Sequence, residues 1–593
     1  MVSKKIEKLR ALMKERGISI YIIPTADYHQ SEYVNEYFKV RQYITGFTGS
    51  AGTAVVTEDE ACLWTDGRYY IQAERELKGS GIKLFKEGLD GVPSVREYVE
   101  ERMDDQACIG FDGQVLCAQD GMNYEWMAED HGASIYTEED LAGILWKDRP
   151  EFPVSSTFIL EEKYSGKSTA EKLKEVRKEM KEYSADYHVI SDACDVAWLL
   201  NIRGGDISHV PVVLSHVLMD MENCWWYVRK ENLNDKVCRY LADNNIVIKD
   251  YEDIYHDLAQ IQRKRVLADL RKINYKIKCC VHTEMLDYHN PEELMKAVKN
   301  PVEIENIRNA HIKDGVAVTR FMYWLKNTIG KERITEMDAA AYIDKLRAGM
   351  EHYVDISFDT IAAYGGNAAM MHYTATEEHN AVLEPKGMLL VDSGGHYLEG
   401  STDITRTFVL GEVEDEEKLM FTTVVRSNLN LANARFLYGC TGLNLDVIAR
   451  EPLWQLGVDY RCGTGHGNGY LLNVHESPNS FRWRKLPDKI NDVPLEEGMI
   501  TTDEPGVYEE GRYGIRIENE LLCKKGRKNE YGQFMEFENI TYAPIDLDGI
   551  LPDEMTGRER KLLNEYHEKV YQVISPYLEE PEREWLREYT REI

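Results

Sequence analysis

Met388-Leu389-Leu390-Val391-Asp392-Ser393-Gly394-Gly395, followed by Asp403-Ile404-Thr405-Arg406-Thr407-Phe408-Val409, is the stretch on which the reading of this chain turns. Four consecutive apolar residues ending at Asp392 read as a buried strand, Ser393-Gly394-Gly395 as a turn, and the Thr-rich run as a second strand. Two strands joined in this way can bring Asp392 and Asp403 together across the chain between them. A carboxylate at the end of an apolar strand, with no partner nearby in sequence, is costly to bury unless a cation neutralises it. A metal ion would do so.

Working outward, His466 sits among glycines in Gly463-Thr464-Gly465-His466-Gly467-Asn468-Gly469, which lets backbone and ring approach a ligand closely. Glu504 lies in Thr501-Thr502-Asp503-Glu504-Pro505-Gly506, where a strand breaks at proline. In Gly514-Ile515-Arg516-Ile517-Glu518-Asn519, alternation places Ile515 and Ile517 on one face and Arg516 and Glu518 on the other, the charged pair towards a cleft. Together, Asp392, Asp403, His466, Glu504 and Glu518 combine four carboxylates with one imidazole. That set can be placed against the charge of two divalent ions less a bridging hydroxide. Hard oxygen ligands with a single imidazole suit Mn²⁺, Co²⁺, Fe²⁺ or Zn²⁺ better than a thiolate-seeking ion.

Other chemistries fall away. Ser165-Gly166-Lys167-Ser168-Thr169 imitates the end of a phosphate loop, but Glu161 stands where the first glycine is required. The glycines around His466 lack dinucleotide-binding spacing. There is no His-Glu-x-x-His helix and no Gly-x-Ser-x-Gly elbow. The 11 cysteines form no Cys-x-x-Cys pair and read as reduced, mostly buried thiols of a cytosolic protein. A net charge of −32 argues against nucleic acid as a partner. The most apolar stretch, Val210 to Met219, is too short to span a membrane, and the first residues lack the apolar core of a signal peptide. The expected location is the cytoplasm.

A chain of 593 residues exceeds one hydrophobic core. An internal echo is visible. Glu7-Lys8-Leu9 opens a helical pattern that leads into the strand Ile18 to Ile23, and Glu171-Lys172-Leu173 opens another that leads into His188-Val189-Ile190. The expected division is 1–150 and 151–300 as two related α/β domains, separated near Arg149-Pro150-Glu151-Phe152-Pro153, with a third domain over 301–593. The third begins at a helix start: Asn300 as cap, Pro301 in the first turn and Glu303 closing a capping box. A C-terminal stripe of Leu562, Leu563, Tyr566, Val570 and Val573 is expected to pack on that domain.

The ordered set Asp392, Asp403, His466, Glu504 and Glu518 resembles the ligand set of the pita-bread metallopeptidases, which include methionine aminopeptidase, prolidase and aminopeptidase P. The chain is most similar to the three-domain, cytosolic-type Xaa-Pro aminopeptidases of that family. The segments that carry the likeness include Asp27-Tyr28-His29-Gln30-Ser31-Glu32-Tyr33, Trp64-Thr65-Asp66-Gly67-Arg68-Tyr69 and Ala310-His311-Ile312-Lys313-Asp314. Gly463 to Gly467, Asn473-Val474-His475-Glu476 and Thr502 to Gly506 belong with them.

The resemblance implies an α+β catalytic pita-bread domain, a curved antiparallel sheet with helices, preceded by two related α/β creatinase-N-like domains. It implies two divalent ions per subunit, most often Mn²⁺ with Zn²⁺ or Co²⁺ as alternatives. The five residues are the implied ligands, His466 on one ion and Asp403 with Glu518 spanning both. It further implies hydrolysis of the N-terminal Xaa-Pro bond by a metal-bridged hydroxide, with Glu504 relaying a proton and His372 and His475 stabilising the tetrahedral intermediate. Arg68, His372, His466, His475 and Arg516 are the implied substrate contacts, Arg68 in its own or a partner subunit's site. Trp454 matches an aromatic residue important for a homodimer. The position four before the ligand histidine, commonly another histidine, is Cys462 here, either a tolerated change in the pocket lining or an altered contact near the substrate proline.

Overall fold

The computed structural model of the protein describes residues 2–485 and 493–593. The chain divides into two compact units, Met1–Glu161 with Lys167–Glu292 and Glu162–Gly166 with Glu293–Ile593.

In the first unit, helix Val2–Arg16 buries Ile6, Leu9 and Met13 at helical spacing and leads into strand Ile20–Pro24. That strand lies inside a six-stranded sheet ordered Lys83–Lys86, Ala61–Thr65, Thr53–Thr57, Ile20–Pro24, Cys108–Gly110 and Ser134–Tyr136. Helix Thr169–Glu182, started by a Ser168/Glu171 capping box, buries Leu173, Val176 and Met180 and leads into strand Tyr187–Ile190. A second six-stranded sheet surrounds it, ordered Ile246–Lys249, Cys224–Tyr227, His216–Asp220, Tyr187–Ile190, Arg265–Ala268 and Glu284–Asp287. In both sheets the inner strand runs antiparallel to the next one in sequence and parallel to the later one beside it. In both, the outermost strands pair in parallel. The repeated helix-to-strand pattern in the sequence is thus also a repeat of topology.

In the second unit, α1 (Pro301–Thr328) starts where its cap residues place it. Asn300 accepts from the amides of Val302 and Glu303, and the Glu303 carboxylate returns to the Asn300 amide. Strands β1 (Met388–Ser393) and β2 (Ile404–Val409) pair antiparallel, with Asp392 opposite Thr405. They form a three-stranded sheet with Ile361–Tyr364. The connection between β1 and β2 is more than a turn. Gly395–Tyr397 and Gly400–Ser401 pair with each other and extend a separate small sheet from Tyr353–Ile356.

A six-stranded antiparallel sheet carries the rest of the candidate site. Three of its four inner strands are β3 (Gly465–Gly467), β4 (Ile500–Asp503) and β6 (Asn519–Asn529), in the order β6, β4, β3. Between them in sequence, β5 (Tyr513–Arg516) forms a hairpin with Gly506–Glu509. The C-terminal helix Gly557–Ile574 buries Leu563, His567, Val570 and Ile574, with Leu562 and Tyr566 at the margin of the core that holds Leu563. Among the described residues no helix is long and apolar enough to cross a membrane.

Candidate active site

Each acidic candidate reaches the site for a local reason. Asp392 closes the apolar run of β1 and Asp403 immediately precedes β2. Glu504 follows the last residue of β4, its amide held by the Thr464 carbonyl at 2.8 Å, before Pro505 ends the strand. Glu518 bridges β5 and β6. Ile515 and Ile517 enter an apolar core while Arg516 and Glu518 point to the opposite face, and all four are buried. His466 is central in β3, where glycines are a steric requirement. A Cβ on Gly465 would lie 1.8 Å from the Thr502 carbonyl oxygen of the neighbouring strand.

The side chains meet. Asp403, His466 and Glu518 each offer a ligand atom, all within 4.8 Å of one another. His466 Nε2 lies 3.6 Å from Asp403 Oδ2 and 3.3 Å from Glu504 Oε1. Its Nδ1 is 3.0 Å from the Gly467 carbonyl. A carbonyl can only accept, so Nδ1 carries a proton and Nε2 is the nitrogen presented to the carboxylates. Arg516 reaches Asp392 Oδ2 at 2.6 Å, Thr405 Oγ1 at 3.1 Å and the Tyr508 hydroxyl at 2.7 Å. Thr405 in turn donates to Glu518 Oε2 at 2.7 Å.

The electrostatics are those of a site that wants a cation. Burial, and then the charges of Asp392 and Glu504, push the Asp403 carboxyl well above its ordinary range. Glu518 is pushed up likewise, by burial and then by Asp403, Glu504 and Asp392. Burial alone would lower His466, but the hydrogen bond and charge of Glu504 and the charge of Asp403 prevail and raise it to about 9. Glu504 goes down despite its burial, because His466, Arg516 and His475 face it. Oδ1 of Asp392 is buried with no hydrogen-bond partner among the described residues. Crowded, desolvated carboxylates, an orphaned oxygen and one oriented imidazole fit a divalent cation, which reverses the repulsion among them.

Metallopeptidase family M24 matches residues 305–525 and the C-terminal region of that peptidase matches 533–593. Creatinase/prolidase N-terminal domains match 5–126 and 148–303. Xaa-Pro aminopeptidase 1 of Dictyostelium discoideum is 37% identical, over 99% of this chain and 96% of its own. The chain belongs to metallopeptidase family M24.

A probable Xaa-Pro aminopeptidase P of Neurospora crassa is 37% identical over 98% of this M24 chain and 88% of its own. The solved X-prolyl aminopeptidase of Caenorhabditis elegans, described as a cytosolic enzyme with a di-nuclear active site, superposes with a TM-score of 0.95. It is 31% identical and the match covers 100% of both chains. This enzyme therefore has the α+β pita-bread fold with creatinase-like N-terminal domains.

The remaining sequence-derived positions divide between the two units. The His475 ring stands edge-to-face on His466, centroids 4.3 Å apart. His372 follows Met371, whose carbonyl lies 3.5 Å from Arg516 Nη2, so its segment borders the cluster. Cys462 lies close enough to Glu504 and Arg516 to feel both charges, and burial, with Glu504 second, pushes its thiol up to about 11. Arg68 belongs to the first unit, where its guanidinium forks onto Asp66 at 2.9 and 2.7 Å. The sequence reading missed Glu520, whose Oε1 accepts from the Asp403 amide at 2.8 Å. Alternation from Glu518 would have pointed to it. It also missed Thr405 and Tyr508, for which no sequence signal exists.

Proposed function

We propose that this metallopeptidase is an Xaa-Pro aminopeptidase, removing the N-terminal residue from peptides whose second residue is proline. The carrying observation is the cluster of Asp403, His466 and Glu518, on a chain matched end to end by an X-prolyl aminopeptidase. In this reading residues 1–150 and 151–300 are two related domains, 301–593 is the catalytic one, and the enzyme works in the cytoplasm.

Two divalent ions, Mn²⁺ ahead of Zn²⁺ or Co²⁺, would be held by Asp392, Asp403, His466, Glu504 and Glu518. Bound there, they supply Lewis acidity and, at neutral pH, the hydroxide nucleophile. Glu504, whose Oε1 faces the Thr502 hydroxyl at 3.2 Å, takes up the released proton and delivers it to the leaving proline nitrogen. His372 and His475 donate hydrogen bonds to the oxyanion that forms on the scissile carbonyl. Proline's amide nitrogen has no hydrogen, so a site that requires that donor cannot use it, whereas a pocket shaped for its ring can. Asp392, clamped by Arg516, receives the free α-amine and limits removal to one residue. Arg68, His466 and Arg516 complete the substrate contacts.

The deciding experiment compares Arg-Pro-Pro with Ala-Pro after metal depletion and again after Mn²⁺ addition. Release of arginine from the tripeptide only in the metal-loaded protein is expected. Full activity after chelation sinks the metal reading, and cleavage of Ala-Pro alone would make the enzyme a dipeptidase.

A further inference from the structure

We propose that His311 is a positioning residue for Asp403, acting through Glu520, and that it sets how tightly the cluster holds divalent ions. The inference rests on the metal reading of that cluster. His311 and Asp314 lie three residues apart on one face of α1, both fully buried.

Each reaches towards one aspartate. Asp314 pairs with Arg347, Oδ1 to Nε at 2.5 Å, and Arg347 Nη2 donates to the Ser393 carbonyl at 3.2 Å, one residue beyond Asp392. His311 Nε2 lies 3.2 Å from Glu520 Oε2, and the other oxygen of Glu520 accepts the Asp403 amide at 2.8 Å. The Glu520 amide is itself fixed on Thr541 Oγ1 at 2.9 Å.

In the Asp314 arm both carboxylate oxygens are bonded to Arg347. The His311 arm is close but unaligned: both ring nitrogens and Glu520 Oε2 are buried with no hydrogen-bond partner among the described residues. Polar atoms left so are costly, and rotating the ring onto Glu520 satisfies two of them at once. With that bond made, Glu520 has one orientation and Asp403 one main-chain position. Without it, Glu520 can turn and release the amide that aims a candidate ligand. Outer-shell partners of this kind typically change metal affinity by about 10–100-fold.

The test titrates metal-free protein with Co²⁺ and with Mn²⁺ by calorimetry, and follows the visible spectrum of the Co²⁺ form and the thermal unfolding of the metal-free form. His311→Leu is expected to weaken ion binding about 10–100-fold. His311→Gln, whose amide nitrogen reaches where Nε2 stands, should bind near wild type, while the shorter His311→Asn should behave like leucine. The two amide variants should melt alike without metal. Wild-type affinity in His311→Leu, or equal affinities in His311→Gln and His311→Asn, overturns the proposal. If the leucine variant does not fold, the amide pair still decides it. If the wild type binds neither ion, the reading of the cluster falls with it.

Discussion

The two nitrogens of His466 face different surroundings: Nδ1 the Gly467 carbonyl, Nε2 two carboxylates. His475 stands edge-on to the same ring and also faces Glu504; in the proposed reading it serves substrate instead of metal. That separates two classes of substitution. Asp403→Ala should abolish activity and tight binding of at least one ion, because a carboxylate at the centre of the cluster is lost. His475→Ala and His372→Ala should lower kcat about 10²–10³-fold, the usual cost of one oxyanion donor, with metal content near wild type. Metal analysis and turnover on one preparation of each variant check both. An empty site in His475→Ala would make that residue a ligand. Glu504→Gln should lose turnover and some metal affinity together, since it is assigned both roles.

The five acidic and imidazole candidates were legible because each is marked by its immediate neighbours: an apolar run before Asp392, a Thr-rich strand after Asp403, glycines around His466, proline after Glu504, alternation through Glu518. Thr405 and Arg347 were not legible, and Glu520 was marked only by its alternation from Glu518. Their importance lies in contacts made across the fold, such as Glu520 with the Asp403 amide, and a threonine within a Thr-rich strand carries no sign of its partner.

Elements divide the same way. Helix α1 began where Asn300, Pro301 and Glu303 predict, since capping is a local competition for backbone amides. The stretch between β1 and β2 read as a turn, yet forms two short strands whose partner Tyr353–Ile356 lies far upstream, a tertiary pairing that local propensity cannot foresee. The C-terminal helix Gly557–Ile574 gives a test at this scale. It buries His567, whose Nε2 accepts the Ile545 amide at 3.1 Å and must therefore be unprotonated. Burial, then the charge of Arg406, pushes its pKa down to about 3, whereas an unfolded histidine titrates near 6.5. The unfolded chain therefore binds the extra proton. This helix's contribution is complete above about pH 6.5 and is lost as pH falls from there towards 3, by up to about 1.4 kcal/mol per pH unit. Urea midpoints of the catalytic unit at pH 7 and pH 5 should fall less in His567→Gln than in wild type, because glutamine can accept the same amide without titrating. An equal fall in both would remove His567 as the source.

At the scale of the whole molecule the open quantity is assembly, and the surface offers an argument for a homodimer through the catalytic unit. Helix Gly442–Trp454 exposes Val447 and Trp454, seven residues apart and so on one face. Leu456 and Trp483 are exposed beside them, and the Trp454 and Trp483 rings meet edge-to-face at 5.8 Å. Large exposed apolar groups clustered in this way mark an interaction site more often than chance exposure does. A second copy of the chain is the proposed occupant, consistent with the role that the family resemblance implies for Trp454. Opposing it is a net charge of −32 on each chain, a repulsion that salt screens over about 8 Å at physiological ionic strength. Light scattering at micromolar concentration and physiological salt should give twice the 68.5 kDa of one chain. Dissociation should increase as salt is lowered, because screening is removed while the apolar contact is unchanged. Trp454→Glu should give a monomer at any salt by placing a charge in the apolar patch. A wild-type mass near 68.5 kDa at physiological salt rules the dimer out, and a dimer that survives Trp454→Glu locates the interface elsewhere.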